Sequence, residues 1–145
     1  MNGSPQQAEL KFILVHLNPL SARLHFLVSL ENKQATACLP SSLDPLATLD
    51  ISHEKLPPAP HVALPLKQLA EKLCVDVNCL EVVTPLLSWV ETPQNLTAIA
   101  LVKLNTPEPP QLNIECNYIT LMELLKVPVI DRLLFKKSYE ILLGD

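Results

Sequence analysis

Runs of apolar residues predict most of the strands in this chain of 145 residues. Residues 9–17 are rich in β-branched and aromatic side chains, and residues 23–30 alternate apolar and polar positions, which is typical of strands. The turn residues between them, 18–22, indicate that these two strands form a hairpin. Residues 96–104 contain a continuous apolar run at 98–102 and predict a buried strand. Shorter strands are predicted over residues 35–39, 79–83 and 86–91.

Two other segments have the spacing of amphipathic helices. The first is predicted over residues 64–74, where Pro65 suits the first helical turn. Its buried face is expected to consist of Leu66, Leu69, Ala70 and Leu73. The second is predicted from Pro128 to about residue 143, with Gly144 just past its end. Its inward side chains are expected to be Ile130, Leu133, Leu134, Ile141 and Leu142.

Prolines interrupt the pattern in two places. Five prolines within residues 40–60 predict an irregular connection with at most a short strand near residues 46–51. Residues 105–110 (NTPEPP) predict an extended linker, which leads to a short helical turn within residues 118–125. The order of elements predicts one α+β domain with a mixed sheet over residues 9–145, preceded by a disordered tail over residues 1–8.

The composition indicates a folded and unusually apolar chain. Apolar residues make up 48% of the chain and charged residues 18%, which argues against disorder over most of its length. This is more apolar surface than one small domain readily hides, so we expect burial between subunits and predict a homodimer.

Charge and the length of the apolar runs bear on partners. The net charge is −4, and the 11 Lys and Arg residues are scattered, so no nucleic acid partner is expected. No apolar run approaches the roughly 18 residues that a membrane span needs, and residues 1–7 lack the basic run of a signal peptide. Together with four cysteines spread along the chain, these features predict a cytoplasmic protein without a membrane partner.

The first predicted helix carries the candidate chemistry, because Lys67, Gln68, Glu71 and Lys72 form its polar side. It follows the irregular loop and precedes Leu-Glu-Val-Val at residues 80–83, the buried strand, the proline-rich linker and the terminal helix. This order resembles a Nudix domain, and residues 121–145 are similar to the end of many Nudix chains. The resemblance implies an α+β fold in which a mixed β-sheet is flanked by helices, as an α/β/α sandwich.

The Nudix motif has the form G-x5-E-x7-R-E-U-x-E-E-x-G-U, in which U is a bulky aliphatic residue. When its second half is aligned with residues 67–75, Leu69 and Val75 match the aliphatic positions, and Glu71 matches the first acid of the Glu-Glu pair. The departures are Lys67 for Arg, Gln68 for Glu, Lys72 for the second acid, Cys74 for the late Gly and, without gaps, His53 for the first Gly and Ala59 for the loop Glu. The resemblance therefore comes with a degenerate Nudix box.

In Nudix enzymes, several carboxylates hold a divalent cation that bridges substrate phosphates and activates water. Glu71 alone is too little for this chemistry, so we expect a catalytically degenerate module without a cofactor, which binds a nucleotide-like small molecule or a protein partner. The alternative is a divergent Nudix hydrolase of nucleoside-diphosphate-linked substrates, in which Glu71 and distant acids hold Mg²⁺ or Mn²⁺. A third possibility is an accessory or structural subunit that acts through an exposed apolar surface.

Other residues with candidate chemistry are scattered. A relocated acidic site would have to draw on Glu54, Glu81, Glu91, Glu108 and Glu115, which are expected instead to be solvated. Cys74 and Cys79 have C-x4-C spacing, with His53 and His61 upstream, but buried thiols are favoured over a zinc site. His16 and His25 are expected to be partly buried or cross-strand residues, and Trp89 is expected to pack in the core or a subunit interface rather than stack on a base.

Overall fold

The computed structural model describes residues 8–52 and 54–144 of the chain. The expected tail over residues 1–8, except Ala8, and the motif position His53 lie outside the described residues. The strands are β1 (Glu9–Leu17), β2 (Leu24–Glu31), β3 (Gln34–Thr36), β4 (Cys38–Leu39), β5 (Leu80–Glu91), β6 (Leu96–Leu104) and β7 (Cys116–Ile119). The α-helices are α1 (Ala63–Leu73) and α2 (Val129–Leu143), and short 3₁₀ segments span Val77–Cys79 and Leu121–Lys126.

The strands form one mixed sheet, as the sequence predicts. Its order is β3-β2-β1-β6-β5, with β4 also paired to β1 and β7 also paired to β2. β1 and β6 run parallel, with Ile13 opposite Leu101, whereas the other described strand pairs are antiparallel. β1 and β6 lie inside the sheet with both faces covered, which explains why their central residues, 12–15 and 98–102, are all apolar rather than alternating.

Two apolar layers cover opposite faces of the sheet. On one face, Ile13 and Val15 of β1 belong to the same buried cluster as Leu134 and Phe135 of α2. The Phe135 ring also stacks on a strand residue, Phe26, at a centroid distance of 4.3 Å. On the other face, alternate β1 residues such as Phe12 and Leu14 cluster with Leu69 and Leu73 of α1. The sheet is therefore sandwiched between α1 and α2, which confirms the predicted fold class.

Two strands differ from the predicted elements. The two strands expected over residues 79–83 and 86–91 are the single strand β5, whose pairing with β6 shifts register on both sides of Thr84. Pro85, which follows Thr84, has no backbone N–H to donate to β6, so the pairing is interrupted there. The strand nevertheless continues to Glu91, as is usual for a bulge. The strand β7 was not predicted, because its four residues offer little apolar alternation.

The buried face of α2 is rotated from the expected one. Leu133 and Ile141, predicted to point inward, are 45% and 47% exposed. The buried side chains of α2 are Asp131, Leu134, Phe135 and Ser138. They fall at positions i, i+3, i+4 and i+7, so the helix does bury one stripe, but apolar residues on both of its faces conceal which stripe it is.

The proline-rich connection contains little regular structure, as predicted. Its one isolated bridge pairs Thr48 with Glu91 at the end of β5. The Glu91 carboxylate also accepts hydrogen bonds from the backbone N–H and the hydroxyl of Ser52, at 2.8–3.0 Å. Among the described residues, no helix is long and apolar enough to cross a membrane.

Candidate functional site

The helix α1 presents the predicted two faces. Leu66, Leu69, Ala70 and Leu73 are buried, and Lys67, Gln68, Glu71 and Lys72 are exposed. The helix ends at Cys74, which adopts the left-handed conformation with φ 58°. Its backbone N–H donates to the Glu71 carbonyl at 3.2 Å, and the next N–H, of Val75, donates to the Ala70 carbonyl at 3.0 Å. This termination normally uses glycine, which is also the residue that the Nudix motif has at the position aligned with Cys74.

The polar face of α1 brings one acid and one fixed cation next to each other. Within the described part of the chain, the Glu71 carboxylate has neither a hydrogen bond nor an ion pair. The next residue, Lys72, donates from Nζ to the carbonyl oxygen of Pro40 at 3.3 Å. The helix is thereby linked by a positive charge to the segment that follows β4.

A second lysine, which sequence reasoning missed, is bound to the same segment. Lys11 Nζ donates to the Ser41 carbonyl at 3.0 Å, to the Ser41 hydroxyl at 2.6 Å and to the Ser42 carbonyl at 2.8 Å. It also forms an ion pair with Glu9 at 3.3 Å. Lys11 is only 5% exposed, and these oxygen partners offset the cost of burying its charge. A lysine directly before the apolar run at residues 12–15 of a predicted buried strand was the signal that could have revealed it.

A small cavity lies beside Lys72, between α1 and the start of β1. Its volume is about 250 Å³, and it is lined by Leu10, Phe12, Pro40, Pro65, Gln68, Leu69 and Lys72. Lys72 and Gln68 contribute its polar side chains and lie one helical turn apart, at i and i+4. The cavity is thus lined mainly by apolar residues and by one positively charged side chain.

Comparisons with known proteins identify the fold. No protein-family model matches the chain, and no curated protein matches it. Among solved structures, the protein is similar to the crystal structure of C. elegans Ap4A hydrolase, with a TM-score of 0.55 and 15% identity, covering 94% of this chain and 99% of that chain. This chain has the Nudix fold. The NUDIX domain of Shewanella oneidensis NrtR, in a cocrystal structure with ADP ribose, has a TM-score of 0.48 and 14% identity, covering 93% of this chain and 88% of that chain.

The residues at the Nudix-motif positions do not fit a divalent cation. Mg²⁺ and Mn²⁺ need several hard oxygen ligands, and carboxylates supply the charge that holds them. Among the described motif positions Glu71 is the one acid, and the position of the second acid holds the ammonium group of Lys72. Across residues 8–52 and 54–144, no three His, Cys, Asp or Glu side chains are grouped so that they could hold a metal ion.

The acids considered for a relocated site have separate roles. Glu81 forms an ion pair with Lys103 at 3.7 Å, and Glu91 binds the loop through Ser52. Glu54, Glu108 and Glu115 are exposed. The structure therefore does not bring these five described carboxylates together into a metal-binding group.

The two strand histidines are cross-strand partners, as predicted. His16 on β1 lies directly opposite His25 on β2, and His16 is fully buried. His16 Nε2 lies 2.8 Å from the carbonyl oxygen of Thr106, which can only accept, so Nε2 carries the proton in the neutral ring. The Nδ1 atoms of both rings are buried without a hydrogen-bond partner in the described structure. Burial, followed by the nearby His16 and Arg23, lowers the pKa of His25, while Glu123 opposes the shift.

The cysteines and Trp89 lie apart from a common site. The expectation of buried thiols is wrong for Cys74, which is exposed at the end of α1, whereas Cys79 is half-buried. Cys74 and Cys79 belong to no metal-binding group among the described residues, and His61 is exposed. Trp89 is half-buried on β5, opposite Ala98, and does not line the cavity beside Lys72.

A larger depression of about 750 Å³ lies at the other end of α1, and sequence reasoning missed it. Its lining includes Cys74, Cys116, Tyr118 and the proline-rich linker, and its described lining residues include no Asp, Glu, Lys, Arg or His. The Tyr118 hydroxyl donates to the Pro110 carbonyl at 2.6 Å, and burial raises the pKa of Tyr118. No sequence signal marks this depression, because it depends on where the linker crosses the sheet.

Proposed function

We propose that this protein is a catalytically degenerate Nudix-fold module that acts by binding a nucleotide-like small molecule, not by metal-dependent hydrolysis. The observation that carries the proposal is the polar face of α1. There Glu71 lacks a second carboxylate, and the Lys72 ammonium contacts the Pro40 carbonyl. A site that cannot concentrate negative charge cannot hold the cation on which hydrolysis by the usual residues depends.

The ammonium group of Lys72 cannot coordinate a metal ion, and its positive charge repels one. A divalent cation about 5 Å from an ammonium group is repelled by roughly 2 kcal/mol even in bulk water. The aligned motif would instead supply an attractive carboxylate at this position. Replacing an acid by a lysine therefore removes one ligand and adds an unfavourable interaction.

The name of a similar structure supports the proposed class of ligand. The similar worm structure is named an Ap4A hydrolase, which favours a nucleotide-like molecule over other small molecules. A protein partner is the other occupant to be tested, because Met122, Leu125 and Val129 leave large apolar side chains exposed. These exposed side chains also support the proposed homodimer.

All four cysteines are free, in keeping with a proposed location in the reducing cytoplasm.

A hydrolysis assay tests the proposal directly. The purified chain is incubated with Mg²⁺ or Mn²⁺ and a panel that contains Ap4A and nucleotide sugars. A Glu71→Gln variant and a matched variant of an exposed acid on the other helix, Glu140→Gln, are assayed beside it. We expect the three proteins to show the same background rate. Turnover by the wild type and by Glu140→Gln that is lost in Glu71→Gln would establish the hydrolase alternative and reject the binding module.

A further inference from the structure

Residues 40–42 present three consecutive carbonyl oxygens to two lysines. Lys72 binds the first at 3.3 Å, and Lys11 binds the second and third at 3.0 and 2.8 Å. The two ammonium groups differ in how many of their hydrogen-bond donors remain available to a ligand. Lys11 is buried and also engaged by the Ser41 hydroxyl and by Glu9. Lys72 is exposed and uses one of its three donors in a single long hydrogen bond.

The cavity beside Lys72 is electrostatically simple. No carboxylate lines it, and the nearest acid on β1, Glu9, is already paired with Lys11. The side chains of Leu10, Phe12 and Leu69, which also line the cavity, are apolar. Because Lys72 is the charged side chain among the described residues that line the cavity, the cavity favours an anion over a cation.

We propose that this cavity is a binding site for the phosphate group of a small phosphorylated molecule. The phosphate would accept hydrogen bonds from Lys72 Nζ and from the Gln68 side-chain amide, which lies one turn earlier on the same face of α1. The adjoining apolar part of the ligand would lie against Leu10, Phe12 and Leu69. This inference rests on the proposed function, because it names the ligand class that the binding module takes.

The size of the cavity limits what enters it. A volume of about 250 Å³ is below the roughly 300–1,000 Å³ of sites that enclose a whole drug-sized ligand. The cavity accommodates a phosphate and a short apolar segment, so the rest of a nucleotide-sized ligand would extend over the surface. Because the positive charge belongs to a side chain of the protein, phosphate binding here needs no divalent cation.

Phenyl phosphate is a suitable probe, since it joins one phosphate to one apolar ring. Its affinity is measured by calorimetry or by NMR titration of the full chain, in EDTA and again in Mg²⁺, with phenol and benzoate as the uncharged and carboxylate comparisons. The variants are Lys72→Met, the charge-conserving Lys72→Arg, and Lys67→Met as the matched control. Lys67 is exposed on the same helix and does not line the cavity.

We expect phenyl phosphate to bind equally well in EDTA and in Mg²⁺, and more tightly than phenol or benzoate. Lys72→Met should weaken the affinity about tenfold or more, whereas Lys72→Arg and Lys67→Met should remain close to the wild type. Equal affinity for wild type and Lys72→Met, a requirement for Mg²⁺, or no binding to the wild type at millimolar probe would each overturn the inference. If the phenyl phosphate experiment fails and Ap4A is not hydrolysed, this inference is rejected and the proposed function stands. Glu71-dependent hydrolysis of Ap4A rejects the proposed function whatever the result with phenyl phosphate.

Discussion

At the scale of single residues, Cys74 holds the left-handed backbone conformation that glycine adopts most readily. A residue with a Cβ atom in the left-handed conformation costs about 1–2 kcal/mol, which glycine avoids. Cys74 adopts φ 58° and ψ 44°, and its thiol is exposed. After the greater flexibility of glycine in the unfolded chain is subtracted, Cys74→Gly should raise the free energy of unfolding by roughly 0.5–1 kcal/mol. Urea denaturation measures this change.

The matched variant for this prediction is Cys74→Ala. Alanine removes the thiol but keeps the Cβ atom, so its free energy of unfolding should stay within about 0.5 kcal/mol of the wild type. If Cys74→Ala were as stabilising as Cys74→Gly, the thiol and not the backbone would be the source of the strain.

Residue identity alone could predict part of the candidate site. The exposed polar face of α1 followed from helical spacing, because Lys67, Glu71 and Lys72 interrupt the apolar positions at regular intervals. The hydrogen bonds of Lys72 and Lys11 could not be predicted, since they join residues 30 to 32 positions apart in sequence. Such contacts depend on where the chain returns after β4, which no local pattern encodes.

At the scale of the elements, α2 offers a direct test of which helix face is buried. Leu134 is fully buried against the sheet, whereas its neighbour Leu133 is 45% exposed. Leu134→Ala should lower the free energy of unfolding by about 2–5 kcal/mol, because it removes buried methyl groups and leaves a cavity. Leu133→Ala should cost less than about 1 kcal/mol, since most of its side chain already contacts water. Chemical denaturation of the two variants in parallel measures both.

Comparing adjacent leucines keeps the chemical change and the helix position nearly constant. Equal losses of stability in the two variants would contradict the observed face of α2. A larger loss in Leu133→Ala would instead favour the face that the sequence pattern indicated.

The elements differ in how well the sequence predicted them, for physical reasons. β1, β6 and α1 were confirmed, because each is long enough for its pattern to repeat and each is buried on the expected side. α2 buries a carboxylate, Asp131, which accepts a hydrogen bond from the Ala37 N–H at 3.0 Å and whose pKa is raised by burial. An acid is normally assigned to the exposed face, so this contact explains why the predicted stripe on α2 was misplaced.

At the scale of the whole molecule, the sequence predicted the mixed sheet and its two flanking helices, and the similarity to a solved Nudix structure at 15% identity agrees with that fold. Buried layers tolerate many apolar substitutions as long as the pattern is kept. Sites do not tolerate substitution in the same way, because a cation needs particular ligand atoms. We propose that this difference allows a chain with the Nudix fold to hold Gln68 and Lys72 where the aligned motif has acids.

The exposed apolar side chains lead to a prediction for the assembly. Met122 and Leu125 are 94% and 82% exposed and lie within one short 3₁₀ segment, close in sequence to the exposed Val129 at the start of α2. Burying such side chains against a second copy of the chain would contribute about 1.5–3 kcal/mol each. We therefore expect light scattering at micromolar concentrations to give a mass of about twice 16.1 kDa.

A charge placed in this patch should separate the subunits, because an unpaired lysine is costly to bury in an apolar interface. The double variant Met122→Lys, Leu125→Lys is therefore expected to have a mass near 16.1 kDa with an unchanged circular dichroism spectrum. Leu20→Lys is the matched control, because Leu20 is 97% exposed in the β1–β2 turn and should leave the dimer intact. A monomeric wild type would refute the dimer. A dimer that survives the double variant would show that the interface lies on another surface, and the outer edge of β5 is the next surface to test.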